Sequence, residues 1–237
     1  EFLRNEDIIR LTTDPAYDQT AFEALLEIKG DSDHSKLIEM LEVLNDATSS
    51  MDDELFVTYF DKENIAYWMA FQLLTGNTDT QNRNVYLYSP QNSSKWYLWD
   101  WDNDGMLRRR EREIIKFSDS ESWERGVSNY WGNVLFRRCL QTQSYRNMLD
   151  AAMKELYAYM NKTRIQSMLE HYRSVTETYV WQMPDRMHVP ITHAEYEDVL
   201  KSIWPEIEEN YNYYWESYRK PMPSYIGIPQ VANGQLH

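Results

Sequence analysis

The sequence predicts a mainly α-helical protein with a small β-hairpin, an α+β fold. Glycine is sparse, with 7 among 237 residues, whereas Leu, Glu, Met and Ala are frequent, which favours helices. Apolar residues recur at helical spacing through most of the chain. In one stretch, residues 85–99, two short runs of aromatic and aliphatic residues flank turn-forming residues, and this pattern is typical of a hairpin.

The composition predicts a single domain over residues 1–237. A hydrophobic fraction of 42% is sufficient for a core, and 24 basic against 38 acidic residues give a net charge of −14. Such a surface repels nucleic acids and anionic membranes at long range, which argues against a nucleic-acid partner. No apolar run approaches 18 residues, so membrane insertion is not expected. Cys139 lies in an apolar run and is expected to be a buried thiol.

Helical signals occupy the first third of the chain. Residues 5–11 predict a short helix, and residues 22–28 carry an apolar run. A clean helical stripe follows at Leu37, Met40, Leu41 and Leu44, with Asp33 or Ser35 as its expected cap. Asp61 is expected to cap a helix over Glu63–Leu74, which Gly76 ends. We expect the inner face of this helix to consist of Tyr67, Ala70, Phe71 and Leu74.

After the hairpin, residues 107–113 form a mixed-charge run that is expected to be a solvated face, and residues 117–132 are loop-like. Apolar periodicity then predicts helices over residues 134–140, 144–160, 163–183 and 192–218. The stripe Leu149, Met153, Leu156 and Met160 is expected to be core. The aromatic residues between Tyr211 and Tyr218 are expected to seal the last helix onto the domain.

Polar residues cluster at both ends of the predicted hairpin. Asp79 and Asn84 precede its first strand, and Asp100, Asp102 and Asp104 follow its second. Because the start of one hairpin strand lies beside the end of the next, these two groups should face each other. Carboxylates this close repel one another unless a cation lies among them. The sequence therefore predicts a divalent metal site here.

The spacing of these residues follows the logic of a protein-kinase active site. There, an Asp orients the acceptor hydroxyl and takes its proton, an Asn five residues later binds metal, and an Asp after a hairpin strand chelates the ion that bridges the phosphates. Asp79, Asn84 and Asp100 have this order and spacing. The hairpin and the Asp-x-Asp that follows it add specificity to an otherwise weak pattern.

Four segments together resemble the CotH (spore coat protein H) kinases, which are secreted or surface bacterial proteins with an atypical protein-kinase-like fold. The resemblance runs from about Phe22 to Gly105. Its segments are Phe22-Glu23 through Leu44, Tyr59-Phe60-Asp61-Lys62-Glu63-Asn64, Gly76-Asn77-Thr78-Asp79 with Asn84 and Tyr86-Leu87-Tyr88, and Trp96-Tyr97-Leu98-Trp99-Asp100-Trp101-Asp102. One departure is Asp104-Gly105-Met106, where members usually have Thr-Phe-Gly.

This resemblance implies Mg²⁺-dependent transfer of the ATP γ-phosphate to Ser or Thr of a protein substrate, outside the cell or at the surface of a bacterium. It implies that Asp79 is catalytic, that Asn84 and Asp100 bind cofactor and metal, and that Asp102 and Asp104 lie beside them as metal ligands. It also implies the C-terminal lobe of the fold, with motifs in 22–105, a helical remainder in 106–220 and a tail in 221–237. A lobe that holds the nucleotide phosphates and supplies a lysine would then precede residue 1.

Three other interpretations fit the same residues. Asp100-x-Asp102-x-Asp104-Gly105-x₅-Glu111 matches the twelve-residue EF-hand loop, which would make Ca²⁺ the ligand. Alternatively, Asp100 and Asp102 only cap the turn after a strand. A third interpretation is a non-catalytic surface module whose aromatic side chains hold a glycan or a partner protein. The five histidines are scattered, and only His188-x₄-His193 has even weak metal-ligand spacing.

Overall fold

The computed structural model describes residues 33–77, 79–81, 84–107, 130 and 133–218. The helices are α1 (Ser35–Asn45), α2 (Lys62–Thr75), α3 (Val134–Gln141), α4 (Gln143–Tyr159), α5 (Lys162–Val180) and α6 (His193–Tyr218), with a π-helical segment at Met51–Tyr59. Strands β1 (Tyr86–Tyr88) and β2 (Tyr97–Trp99) form an antiparallel pair. The predicted mainly α fold with a small hairpin is confirmed. The helix expected at 5–11, the apolar run at 22–28, the charged run at 108–113 and the tail at 221–237 lie outside these residues.

Helix α2 is the centre of the core. Its N-cap is Asp61, whose carboxylate accepts a hydrogen bond from the Asn64 backbone N–H at 2.8 Å, as the sequence predicts. It is buried on nearly every side, at residues that include Ile65, Trp68, Met69, Gln72 and Leu73. The predicted inner face was therefore partly wrong, since Tyr67 and Phe71 are only half-buried. A helix that is apolar all round is enclosed rather than amphipathic.

Helices α3, α4 and α6 pack around α2 and α1. Trp68 of α2 stacks on Phe136 of α3 with ring centroids 5.4 Å apart, and Tyr145 of α4 is fully buried. Cys139 is also fully buried, as predicted. The shared core includes Leu41, Leu44, Leu55, Phe60, Leu73, Leu135, Leu149, Met153, Ile207 and Tyr214. Leu156 and Met160, expected in the core stripe, pack against it while partly exposed.

An arginine joins α3 to the end of α1. The Arg138 guanidinium donates to the backbone carbonyls of Leu44 (2.5 Å) and Asp46 (3.2 Å) and to both oxygens of Ser49 (2.6 and 3.0 Å). These acceptors include carbonyls at the C-terminus of a helix, which have no intrahelical partner. At the other end of α1 the N-cap position is His34, without a side-chain cap. The predicted cap Asp33 instead accepts from the Ser35 backbone N–H at 2.9 Å.

The hairpin is fixed to the N-terminal half of α2. The Asn64 side chain bonds to both backbone groups of Leu98, with its Oδ1 accepting at 2.8 Å and its Nδ2 donating at 3.2 Å. Trp96 forms a bridge with Phe60, and its N–H donates to the Tyr59 carbonyl at 2.6 Å. Each strand is one residue shorter than predicted. The register of the hairpin pairs Tyr86 with Trp99, so the start of β1 and the end of β2 are adjacent.

The C-terminal part is an antiparallel pair of helices, α5 and α6, that begins against α4. Tyr157 of α4 stacks on Tyr211 of α6 at 3.8 Å between centroids, and Tyr214 is buried. The expectation that these aromatics seal α6 onto the domain is confirmed for Tyr211, Tyr214 and Trp215. Helix α5 ends at Val180, three residues before the predicted end. In the described part of the chain, no helix has the length and apolar character to cross a membrane.

Candidate functional site

The site begins where α2 ends. Gly76 adopts a left-handed conformation with φ 61°, which residues with a Cβ adopt rarely. The Gly76 N–H donates to the Leu73 carbonyl at 3.2 Å and the Asn77 N–H to the Gln72 carbonyl at 2.9 Å. This is the pattern of a Schellman cap. Because the cap reverses the chain sharply, it directs Asn77 and Asp79 toward the residues that follow the hairpin.

Asp79 packs against Gly105. A Cβ built on Gly105 would lie 2.7 Å from Asp79 Oδ2 and 2.8 Å from Asn77 Oδ1. These separations are shorter than van der Waals contact, so both polar side chains occupy the space that another residue would need at 105. Asp79 itself is exposed, whereas Asn77 is buried. The carboxylate predicted to be catalytic is therefore open to solvent and lies against the loop that follows β2.

Hydrogen bonds to buried residues hold the backbone around Asp79. The Thr80 hydroxyl lies 3.2 Å from the Asn77 carbonyl and 2.6 Å from the Tyr130 hydroxyl. Tyr130 is buried and makes an edge contact with Trp68 at 6.1 Å between centroids. Asn77 Oδ1 also accepts from the Asp79 backbone N–H at 3.2 Å. The exposed Asp79 carboxylate therefore lies on a backbone segment that is held in place by the buried residues Asn77 and Thr80.

Asn84 and Asp102 meet across the ends of the hairpin, as the sequence predicts. Asn84 Nδ2 donates to Asp102 Oδ2 at 3.2 Å. Both residues have positive φ, 53° and 51°, a conformation in which Asn and Asp are enriched. The two turns thereby place the side chains of Asn84 and Asp102 beside each other at the open end of the hairpin.

Asp100 is held by Gln72 of α2. Gln72 Nε2 donates to Asp100 Oδ1 at 3.0 Å and to Asn103 Oδ1 at 3.3 Å. Asn77 Nδ2 donates to the same Asn103 oxygen at 3.2 Å. Desolvation raises the pKa of Asp100, and the bond from Gln72 opposes this shift. Gln72 Oε1 is buried and has no hydrogen-bond partner in the described part of the protein.

The acidic residues of the predicted site are not tightly clustered. Within the described residues, the carboxylates of Asp79, Asp100, Asp102 and Asp104 do not place three oxygens within 4.8 Å of one another. Asp104 is exposed in the turn Asn103–Gly105. The side-chain atoms of these residues that could bind a metal ion are carboxylate or amide oxygens, which suit hard cations such as Mg²⁺ and Ca²⁺.

A family model described as CotH kinase protein matches residues 1–214. The chain belongs to the CotH kinase family. The match extends beyond the motif-bearing stretch at both ends, and it includes α1 to α5 and most of α6. Searches of curated proteins and of solved structures found no match.

Three polar residues of this CotH chain were not among the predicted site residues: Gln72, Asn77 and Asn103. Asn77 belongs to the quoted Gly-Asn-x-Asp motif, so its position gave a signal. Gln72 gave a weaker one, as a polar residue inside an apolar helix. The link through Asn103 joins two segments 26 residues apart, and no local pattern in the sequence reveals it.

The hairpin of this CotH chain also presents an aromatic face next to the site. Tyr86 contacts Trp101 at 5.1 Å and Tyr88 contacts Trp99 at 6.2 Å between ring centroids. All four rings are about half exposed or more, from 48% to 61%. Alternation along the strands explains this, because Leu87 and Leu98 between them face inward.

A separate polar cluster joins α5 and α6. Arg173 bonds to Glu177 at 2.9 Å and to Glu197 at 2.5 Å, and His193 Nε2 lies 2.9 Å from Glu177. Glu177, His193 and Glu197 have metal-ligating atoms within 4.8 Å of one another. The guanidinium of Arg173 pairs with both carboxylates, so this cluster is an ion-pair network between two helices.

Proposed function

We propose that this protein is a CotH-type kinase that transfers the γ-phosphate of ATP to Ser or Thr of a protein substrate in a Mg²⁺-dependent reaction. The main support is that family membership coincides with the facing of Asn84 and Asp102 across the hairpin. By the same family resemblance, we propose that it acts outside the cell or at the surface of a bacterium.

In this proposal Asp79 orients the acceptor hydroxyl and accepts its proton. Its exposure leaves the carboxylate accessible to a macromolecular substrate. Its support by Asn77, Thr80 and Gly105 fixes its position, which matters because misplacement by about 1 Å can cost on the order of 100-fold in rate. A positioned general base contributes roughly 10²- to 10⁴-fold.

Asn84, Asp100 and Asp102 would hold Mg²⁺, with Asp104 at the rim. When bound, Mg²⁺ supplies neutralisation of charge on the phosphate oxygens. The residues fit this ion because Mg²⁺ usually takes one or two carboxylates and completes its shell with phosphates and water. Gln72 fixes the orientation of Asp100 through its hydrogen bond. The raised pKa of Asp100 is the response of a partly desolvated carboxylate, and a nearby cation would reverse it.

The Ca²⁺ alternative rests on the loop from Asp100 to Glu111. An EF-hand needs its first, third and fifth positions to converge on one ion after an entering helix. Here a strand, β2, precedes Asp100, and the carboxylates of Asp100, Asp102 and Asp104 do not converge within 4.8 Å in the described residues. Glu111 lies outside them. These observations favour Mg²⁺ with a nucleotide over a calcium loop.

The test is calorimetric titration of Mg·ATP into the chain and into Asp102→Asn, with Asp198→Asn as the matched control. Asp198 is also an exposed aspartate, 72% accessible, and it lies on α6. We expect Asp102→Asn to abolish or weaken binding by at least about tenfold, since charged ligands dominate Mg²⁺ affinity, and Asp198→Asn to bind as wild type. Equal binding by all three proteins would contradict the assignment.

Phosphoryl transfer separates the role of Asp79 from that of the ligands. Asp79→Asn should keep Mg·ATP affinity while lowering the rate of transfer to a protein acceptor by about 100-fold or more. Tight binding of Ca²⁺ that neither needs nor favours nucleotide would support the calcium interpretation instead.

A further inference from the structure

An apolar stripe runs along the solvent side of α5 and the turn after it. Its side chains are 46% to 70% exposed, and they are Met168, Tyr172, Val175, Tyr179 and Met183. We call this set the α5 stripe. The first four members follow spacings of four, three and four residues, which places them in one narrow sector of the helix surface. Met183 is exposed too and follows four residues after Tyr179, in the turn after Val180.

This stripe is distinct from the face by which α5 joins the domain. That inner face carries Ile165, which is buried, and Leu169, which packs partly buried against the core. It continues with Arg173, which is paired to Glu197 of α6. Helix α5 thus has a satisfied inner face and a second apolar face in solvent. Contiguous exposed apolar patches mark interaction sites more often than scattered single residues do.

The spacing of the stripe selects a helix as its partner. Alternating steps of three and four residues form the seam along which two helices pack side by side. The exposed residues that border the seam include His171, Thr176, Thr178 and Gln182, and none of them carries a carboxylate. In a protein with net charge −14, this face is therefore one where a second copy meets little local repulsion.

The order of side chains makes the stripe self-complementary. It reads Met, Tyr, Val, Tyr, Met from Met168 to Met183. Two copies of α5 placed antiparallel about a two-fold axis near Val175 would set Val175 beside its own equivalent, Tyr172 near Tyr179, and Met168 near Met183. A two-fold interface needs this reciprocity, in which each residue meets the partner's equivalent of its own contact.

We propose that the α5 stripe is the two-fold interface of a homodimer, with the two α5 helices antiparallel and crossing at Val175. Burying the exposed parts of these side chains in both copies removes on the order of 1,000 Å² from solvent, which is the lower limit for a specific interface. The dimer is therefore weak and its population depends on protein concentration.

The first experiment is sedimentation equilibrium of the whole chain between about 1 and about 500 µM, a range chosen for a small interface. The weight-average mass should rise from 28.5 kDa toward twice that value. Val175→Glu and Val175→Lys should each remain monomeric, because each sets two like charges against each other. An equimolar mixture of the two variants should again associate, because opposite charges then meet at the crossing.

The matched controls are Ser167→Glu and Ser167→Lys. Ser167 is exposed on α5 and lies about 110° around the helix from the stripe centre, at 3.6 residues per turn. Both should associate as wild type does. A wild-type mass that stays at the monomer value throughout, or a mixture of the Val175 variants that fails to associate, would overturn the proposal.

A covalent measurement covers the case in which a charged variant folds poorly. Val175→Cys should form a disulfide-linked dimer under mild oxidation, because position 175 faces its own equivalent. Ser167→Cys should remain monomeric on a non-reducing gel. Cys139 is buried, so it does not interfere. Cross-linking through position 167 but not 175 would show a different interface and contradict the proposal.

Discussion

At Gly105, two neighbouring side chains require the absence of a Cβ. The Asp79 carboxylate and the Asn77 amide both lie within 2.8 Å of the point where a Cβ would stand. This requirement differs from the usual one for glycine, because the φ of Gly105 is not in the left-handed region. Gly105 allows the loop after β2 to approach Asp79 closely, so one small residue sets the distance between two halves of the site.

Gly105→Ala should lower phosphoryl transfer by about 100-fold, because the added methyl displaces Asp79. It should also lower the free energy of unfolding by about 1–3 kcal/mol through overpacking. The two effects are measured by transfer kinetics and by urea unfolding. In an Asp79→Ala background the stability cost should become smaller, since one clashing partner is gone. An unchanged cost there would show that Asp79 is not the group displaced.

Gln72→Met tests the support of Asp100. The change keeps the volume of a buried side chain but removes the donor to Asp100 and Asn103. We expect about tenfold weaker Mg²⁺-dependent nucleotide binding and a loss of about 1–2 kcal/mol in unfolding free energy. Because the Gln72 bond lowers the pKa of Asp100, its loss should also move the pH midpoint of metal binding upward.

The control for this change is Gln166→Met. Gln166 is an exposed glutamine on α5, away from the site, and its replacement should alter neither quantity. Calorimetry at several pH values measures the affinity and its midpoint. A downward shift of the midpoint in Gln72→Met would mean that the hydrogen bond from Gln72 does not favour the charged form of Asp100.

The helices themselves were largely predictable from sequence, and the predicted ends of α2 to α6 lie within one residue of the observed ends except at the C-terminus of α5. Periodic apolar residues locate α1, α2 and α4 because burial of one stripe is the main source of helical stability. The π-helical segment Met51–Tyr59 has no such signature, since it depends on backbone hydrogen bonds that do not follow side-chain type. The extent of burial of α2 was also missed, because a helix enclosed by neighbours from distant parts of the chain has no local marker.

The site was predictable at its hairpin and not beneath it. The facing of Asn84 and Asp102 follows from strand pairing, which is a local rule. The contacts of Gln72 with Asp100 and Asn103 depend on how α2 packs under the hairpin. Only the tertiary arrangement determines which polar residue of a buried helix lies there.

The pairing of α5 with α6 should weaken in acid. The hydrogen bonds from Arg173 and then from His193 lower the pKa of Glu177 below its ordinary value of 4.5. A carboxyl with a depressed folded-state pKa gives its full stabilisation above the unfolded pKa and loses it as pH falls through the folded one. The urea concentration at the midpoint of unfolding should therefore decrease once the pH is lowered below about 4.5, the pKa of this carboxyl in the unfolded chain. Glu177→Gln should flatten this dependence, whereas Asp198→Asn should leave it unchanged.

The reactivity of Cys139 is a probe of unfolding of the whole molecule. Burial raises the pKa of its thiol well above the ordinary range, and its side chain is 0% exposed within the core that α1, α2, α3 and α4 share. Because the thiolate is the reactive form, alkylation in the native protein should be slow. It should become rapid over the same urea range in which helical circular dichroism is lost, since one core unfolds cooperatively.

Ser167→Cys in a Cys139→Ala background provides the exposed reference, which should react rapidly without denaturant. Rapid reaction of Cys139 well below the unfolding midpoint would mean that α3 opens independently of α2 and α4. That outcome would divide the protein into separately unfolding units.

The exposure of Asp79 outside the core affects how proteins of this kind can evolve. The Asp79 carboxylate is exposed, and the buried residues that fix its backbone, Asn77, Thr80 and Tyr130, do not need its charge to pack. If Asp79 is the catalytic base, as we propose, a descendant that exchanged this one acid would lose phosphoryl transfer and keep its fold. Selection for the scaffold and selection for the reaction can therefore diverge at a single codon, and inactive members of such a lineage would remain well folded.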